Sequence, residues 1–194
     1  MTRRRNEGQS SGESCGICES RRRQETVEIY QFADEVDTYV FQINKAKEIV
    51  GDGRAALPVS TEMLRRFIGM SEFDFDHLPH VDPSRPGLFT RRFGAPILLD
   101  GIHRAIRCFA EQLQFHAFEL SYEESLECLL QQRVSIKDAA AIVRKLRRVR
   151  EFFPLSAPVD TPIECSPEVL RQVEEMLTAV ERQRFLLRAV PEPV

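Results

Sequence analysis

The chain has 194 residues, and its 27 Lys and Arg against 30 Asp and Glu leave a formal net charge of -3. At roughly 100–200 residues per domain, that length holds one domain with extensions and not two full domains. Hydrophobic residues make up 42% of the chain, enough for a core. No apolar run reaches the roughly 18 residues that a membrane helix needs, so no membrane partner is expected.

Arg3, Arg4 and Arg5 are followed by polar residues from Asn6 to Glu13, which does not read as a secretory signal. The five cysteines are odd in number and scattered, so no disulfide framework is expected and a reducing cytoplasm is the predicted location. Apart from Lys45, Lys47, Lys137 and Lys145, every basic residue is arginine. Phosphate recognition by guanidinium forks and a GC-rich coding sequence both account for that bias.

Residues 1–24 are rich in Ser, Gly, Glu and Arg and are predicted to form a disordered tail, because they cannot bury enough surface to offset their ordering entropy. Cys15 and Cys18 have the spacing of half a zinc site, but the only other such pair, His77 and His80, is far downstream, so no zinc is expected. Thr26 to Phe32 and Tyr39 to Ile43 carry β-branched and aromatic residues with partial alternation and predict two strands. Gly51-Asp52-Gly53 signals a turn. Ser60 or Thr61 caps a short helix that reaches Ile68 and stops at Gly69. Phe73 to Pro86 reads as irregular, and Asp74, Asp76, His77, His80 and Asp82 within it are candidate ligands for a divalent cation. Leu88 to Phe93 and Ala95 to Leu99 predict a hairpin around Gly94.

Ile102, Ile106, Phe109 and Leu113 then mark one face of an amphipathic helix. Phe115 to Leu120 is a further strand candidate. Ser121 and Glu124 fit a capping box that launches a helix to about Gln132. Ser135 is predicted to start another, with Ile136, Ala139, Val143 and Leu146 inward and Pro154 closing it. Ser166-Pro167-Glu168 opens a last helix with Leu170, Val173, Leu177 and Val180 on one face. The predicted class is α+β: a mixed sheet with helices, followed by a mostly helical C-terminal region. The expected division is a tail (1–24), a domain (25–132) and a helical extension (133–194).

The informative segment is Pro96 to Ala105, an apolar strand, a glycine turn and a helix with His103 and Arg104 in its first turn. A helix N-terminus carries about half a positive charge, so a cation there costs about 0.3–1 kcal/mol. A bound anion reverses that sign, and the helix amides, Gly101 and two side-chain donors would make a phosphate-sized pocket. The other reading has Asp100 as the N-cap, with Arg104 folded back to pair with it and His103 left at the surface. Spacing alone does not choose between them.

Leu-Leu-Asp-Gly-Ile-His-Arg-Ala, followed by a short helix, a strand and a Ser-x-x-Glu helix start, resembles the ParB/sulfiredoxin-like superfamily. The Asp-Gly-x-His-Arg version is similar to ParB-like nuclease-domain proteins and to the free serine kinases of that superfamily. The resemblance spans about residues 25–132 and is sharp only at the core motif. It implies a nucleotide or phosphorylated small molecule held by Asp100, Gly101, His103 and Arg104, with magnesium accompanying ATP or CTP.

Two departures limit what carries over. Sulfiredoxins have a catalytic cysteine where this chain has Ile102, and Cys108 is more than a turn away, so sulfinic acid reduction is not expected. Partition proteins continue into a helix-turn-helix domain, which the pattern from Ser135 to Phe153 lacks. If the chain is an enzyme, the resemblance points to an NTPase or a small-molecule kinase. Such a kinase needs a carboxylate base, for which Asp100, Asp34, Glu35, Asp74 and Asp76 are candidates.

Arg144, Lys145, Arg147, Arg148 and Arg150 form a basic cluster near a predicted helix end. It reads as a solvated, dipole-matched terminus or as a contact to DNA. The DNA reading would make the chain a partition-like regulator, whereas a stripe on the last helix would make it a protein-interaction module. No Gly-x-x-x-x-Gly-Lys loop, Gly-x-Ser-x-Gly elbow or His-Glu-x-x-His helix is present.

Overall fold

Three small sheets share the chain in a computed structural model that describes residues 28–33, 37–51, 53–134, 137–149 and 159–190. The first is antiparallel, with β1 (Ile29–Ala33) beside β2 (Asp37–Gln42) and β2 beside β7 (Leu129–Val134). The second has the order β3 (Leu57–Pro58), β6 (His116–Leu120), β4 (Gly87–Arg92), β5 (Ala95–Asp100). Within it β4 and β6 run parallel, and the other pairings are antiparallel. The third joins β8 (Val159–Glu164) and β9 (Phe185–Val190) in parallel.

The helices are α1 (Ile43–Val50), α2 (Thr61–Gly69), α3 (Ile102–Ala110), α4 (Tyr122–Glu127), α5 (Ala139–Val149), α6 (Pro167–Met176) and α7 (Ala179–Arg184). A 3-10 helix spans Phe75–His80. This is an α+β protein. Among the described residues no helix is long and apolar enough to cross a membrane.

The apolar run at β5 follows from its place between two cores. Ile97 and Leu99 enter the larger cluster, with Tyr39, Phe41, Ile142, Leu146 and Phe185. Leu98, facing the other way, joins Phe67, Phe89, Cys108 and Phe115 in the smaller one. Alternate side chains of a strand point to opposite faces, so a strand buried on both sides has no polar positions. Ile163, Val173 and Leu177 complete the larger core, so the C-terminal segments pack on the same interior as β2.

The hairpin falls around Gly94 as expected, and its tip is tighter than a glycine alone explains. Phe93 and Gly94 both have positive φ, 49° and 72°. That pair suits a two-residue turn, but it is a strained setting for a bulky residue. Burial of the Phe93 ring in the larger core, 2% exposed, holds it there.

Several boundaries differ from the sequence reading for identifiable reasons. Ile43 begins α1 instead of ending β2, and Ile43, Ala46 and Val50 form the buried face of that helix. The helix from Ser121 stops at Glu127 and the chain turns into β7, so the position between 132 and 133 lies inside a strand. The C-terminal part mixes strands and helices, because β8 and β9 pair in parallel around α6 and α7, and Thr178 and Glu181 form a second capping box that starts α7. Val180 is consequently 72% exposed, while Val173 and Leu177 are buried. Phe109 and Leu113, predicted to face inward, are half exposed, and Leu113 lies beyond the end of α3.

Candidate functional site

Asp100, Gly101, His103 and Arg104 come together where β5 passes into α3. Gly101 is the N-cap and sits at φ 102°, a left-handed conformation that glycine adopts without penalty. A Cβ there would lie 2.9 Å from Arg104 Nη2 and 3.0 Å from the Cα of Gly87. Gly87 is equally constrained, since a Cβ on it would lie 2.6 Å from the ring of Phe115. Two glycines thus bring β4 and the α3 turn into contact.

Asp100 is not the N-cap. Its Oδ2 accepts from Arg104 Nη2 at 3.0 Å and lies 3.1 Å from Lys47 Nζ. Arg104 therefore does fold back, one of the two arrangements open to the sequence, and Lys47 from α1 joins it. Lys47 also donates to Glu28 at 2.7 Å. Burial pushes the Asp100 carboxyl up, and Arg104 and Lys47 outweigh that effect, leaving it below the usual carboxylate range. The Nε of Arg104 is buried with no hydrogen-bond partner among the described residues.

His103 leans the other way. Its Nε2 accepts the backbone N–H of Asp74 at 3.1 Å, so that nitrogen is unprotonated. The buried ring of His77 meets it edge-on, centroids 4.8 Å apart, and so ties the 3-10 helix to the start of α3. Asp74 caps that 3-10 helix through Asp76 N–H, and Asp82 accepts from both the amide and the hydroxyl of Ser84. His80 stacks on His77 at 6.5 Å. Among the described residues no three His, Cys, Asp or Glu side chains are placed to hold a metal ion.

Two cavities meet at Asp100 and Arg104. One, of about 220 Å³, lies along Glu28, Tyr30, Ile43 and Val81 and reaches His103. The other, of about 430 Å³, is bounded by Lys47, Gly51, Arg85, Gly87 and Phe118. Among the described residues, three cations and one carboxylate line the larger one, which gives its wall a net positive charge. Compared with known proteins, the chain matches no family model, no curated protein and no solved structure.

Lys47 and Arg85 escaped the sequence reading. Lys47 would have been found through the 3,4 spacing of Ile43, Ala46 and Val50, which marks a helix and puts Lys47 on its rim. Nothing in the sequence pairs Arg85 with Gly87 and Arg104.

The basic cluster spreads over several directions. Arg144 is exposed and lies 3.9 Å from Asp138, while Arg147 pairs with Glu181 at 3.0 Å. Lys145 lies over the Phe93 ring, 4.4 Å from its centroid, and borders a cavity with Arg148. Asp34, Glu35, Cys15, Cys18, Ser135, Ile136, Arg150 and Pro154 lie outside the described residues, as do residues 1–24.

Proposed function

We propose that this chain is a ParB/sulfiredoxin-like domain protein that binds a nucleotide or phosphorylated small molecule where β5 meets α3. One observation carries the reading. Arg104, Lys47 and Arg85 converge on a cavity beside the start of α3. A phosphate in that cavity would meet the charges of Lys47, Arg85 and Arg104, and the positive end of the helix favours the same charge. Asp100 then acts as a holder of cations, fixing Arg104 and Lys47 in place through one oxygen.

The same pairing opposes a direct bond from Asp100 to magnesium, because a dication at the other oxygen would be repelled by Arg104 and Lys47 beside it. Magnesium accompanying ATP or CTP would be carried by the phosphates and water. With no catalytic carboxylate placed among the described residues, the favoured reading is binding without turnover. NTPase or small-molecule kinase activity is the enzymatic version of the same site.

Calorimetric titration of the full chain with ATP and with CTP, in magnesium, tests the reading. Saturable heat is expected, and Arg104→Ala should weaken it by about 1.5–3 kcal/mol, the contribution of a charge-assisted hydrogen bond. Absence of heat with every nucleoside triphosphate, together with unchanged hydrogen exchange at the α3 amides, overturns it. With labelled γ-phosphate and free serine added, unchanged triphosphate is expected, label on serine identifies a kinase, and free phosphate identifies an NTPase.

A further inference from the structure

Between α2 and β4 the chain runs along α3 as a strap, residues 74–86, and that helix holds the strap's backbone at three places. His103 Nε2 accepts the Asp74 N–H at 3.1 Å, Arg107 Nη1 donates to the Val81 carbonyl at 2.6 Å, and Cys108 Sγ donates to the Pro83 carbonyl at 3.5 Å. His103 and Arg107 are four residues apart and share one face of the helix. Glu111 orients Arg107, taking its Nε at 2.8 Å.

The strap is also bonded within itself. Asp82 accepts from the amide and the hydroxyl of Ser84, at 2.9 and 2.7 Å, and its carbonyl accepts the Arg85 N–H at 3.3 Å. Those Ser84 bonds first, and then Arg85 and Arg107, hold the Asp82 carboxyl below the usual carboxylate range, so one carboxylate interacts with both arginines. The position of Val81 is thereby passed to Arg85. Val81 walls the smaller cavity at Asp100, and Arg85 and Pro86 wall the larger one with Lys47 and Arg104. His103 opens on the smaller cavity, and Arg107 turns to the strap.

We infer that His103 and Arg107 are positioning residues for the anion cleft: they clamp the strap and so place Arg85, without touching the ligand. The inference rests on the phosphate reading of that cleft. Linkage is reciprocal, so an anion drawn to Arg85 must in turn tighten the clamp.

ATP with magnesium is the probe, titrated into the full chain by calorimetry, with amide hydrogen exchange of residues 74–86 read in its presence and absence. Arg85→Ala should weaken ATP about tenfold, the lower end for a charge-assisted contact. His103→Ala should weaken it about threefold, a coupling effect, and should speed exchange at Asp74 even without ATP. His103→Gln, whose amide oxygen replaces Nε2 as acceptor, should restore both. In an Arg85→Ala background, His103→Ala and Arg107→Ala should cost nothing further, because all three act through one side chain. ATP should slow exchange along the strap in the wild type and less in Arg85→Ala.

No heat from the wild type removes the phosphate reading and this inference with it. With heat present, the inference alone is overturned by any of three results. One is ATP affinity or Asp74 exchange that His103→Ala leaves unchanged. Another is a loss from His103→Ala that persists undiminished in the Arg85→Ala background. The last is a His103→Gln variant that binds as weakly as His103→Ala while its strap stays protected, which would make the imidazole a direct ligand contact.

Discussion

Two carboxylates in this molecule each hold an arginine, yet their surroundings differ. Both oxygens of Glu164 are saturated: Oε1 accepts from Arg92 at 2.9 Å and Tyr122 at 2.8 Å, and Oε2 from Tyr39 at 2.9 Å and Gln132 at 2.6 Å. The Arg92 guanidinium lies near the Tyr39 and Tyr122 rings, 4.8 and 4.9 Å from their centroids. Burial first, and then the neighbouring Glu164, push both phenols above the ordinary tyrosine range, so they remain donors. Asp100, by contrast, presents one oxygen to two cations at the mouth of a cavity. A closed network positions segments of chain, whereas a carboxylate that holds cations at a cavity edge can present them to something else.

The largest effect is expected at the closed network. Glu164→Leu strands a buried Arg92 and should cost about 3–5 kcal/mol in chemical denaturation. Pairing it with Arg92→Met should recover much of that loss, since removing both charges leaves neither uncompensated. A single variant with unchanged stability would erase the contrast between the two sites.

At the open site a backbone change should act next most strongly. Gly101→Val forces a branched residue to φ 102° against Arg104 and Gly87, at a cost of about 1–3 kcal/mol. It should also abolish nucleotide heat. Retained stability with retained heat would show that the turn does not shape the cleft.

A third carboxylate sharpens the comparison through pH. Glu181 is held down to about 2, first by Arg147 and then by the Thr178 cap, against an ordinary value of 4.5. A depressed acid contributes stability above its unfolded value and loses it as pH falls, here between about 4.5 and 2. Thermal unfolding across that window should lose about 1–2 kcal/mol, because Arg147 is half exposed and partly screened. Glu181→Gln should flatten the profile. The smallest effect belongs to the surface trio of Arg171, Glu168 and Glu175, where Arg171→Ala should leave the melting temperature unchanged.

Features written in local chemistry were legible in the sequence. The Ser60, Ser121 and Ser166 caps start helices where their hydroxyls predict, accepting from Met63, Glu124 and Val169 amides. The hairpin around Gly94 and the coincidence of Asp100, Gly101, His103 and Arg104 were equally readable. Long-range pairing was not. β7 looks helical because Leu129 and Leu130 extend a capped helix, and only β2 makes that stretch a strand. The partners of Glu164 come from four elements that no spacing connects. Lys47 and Arg85 reach the site for the same reason, by tertiary placement and not by motif.

The Glu164 network also sets an order on synthesis. Tyr39 and Glu164 are 125 residues apart, and Arg92 precedes Glu164 by 72. At about 5–20 residues per second, Tyr39 is synthesised roughly 6–25 s before its acceptor. Strand β2 meanwhile has β1 but lacks β7, and the Arg92 guanidinium has no carboxylate to meet inside a collapsing core. The nascent chain must keep that arginine hydrated until β8 emerges, so the first and second sheets close around it only once Glu164 has been made.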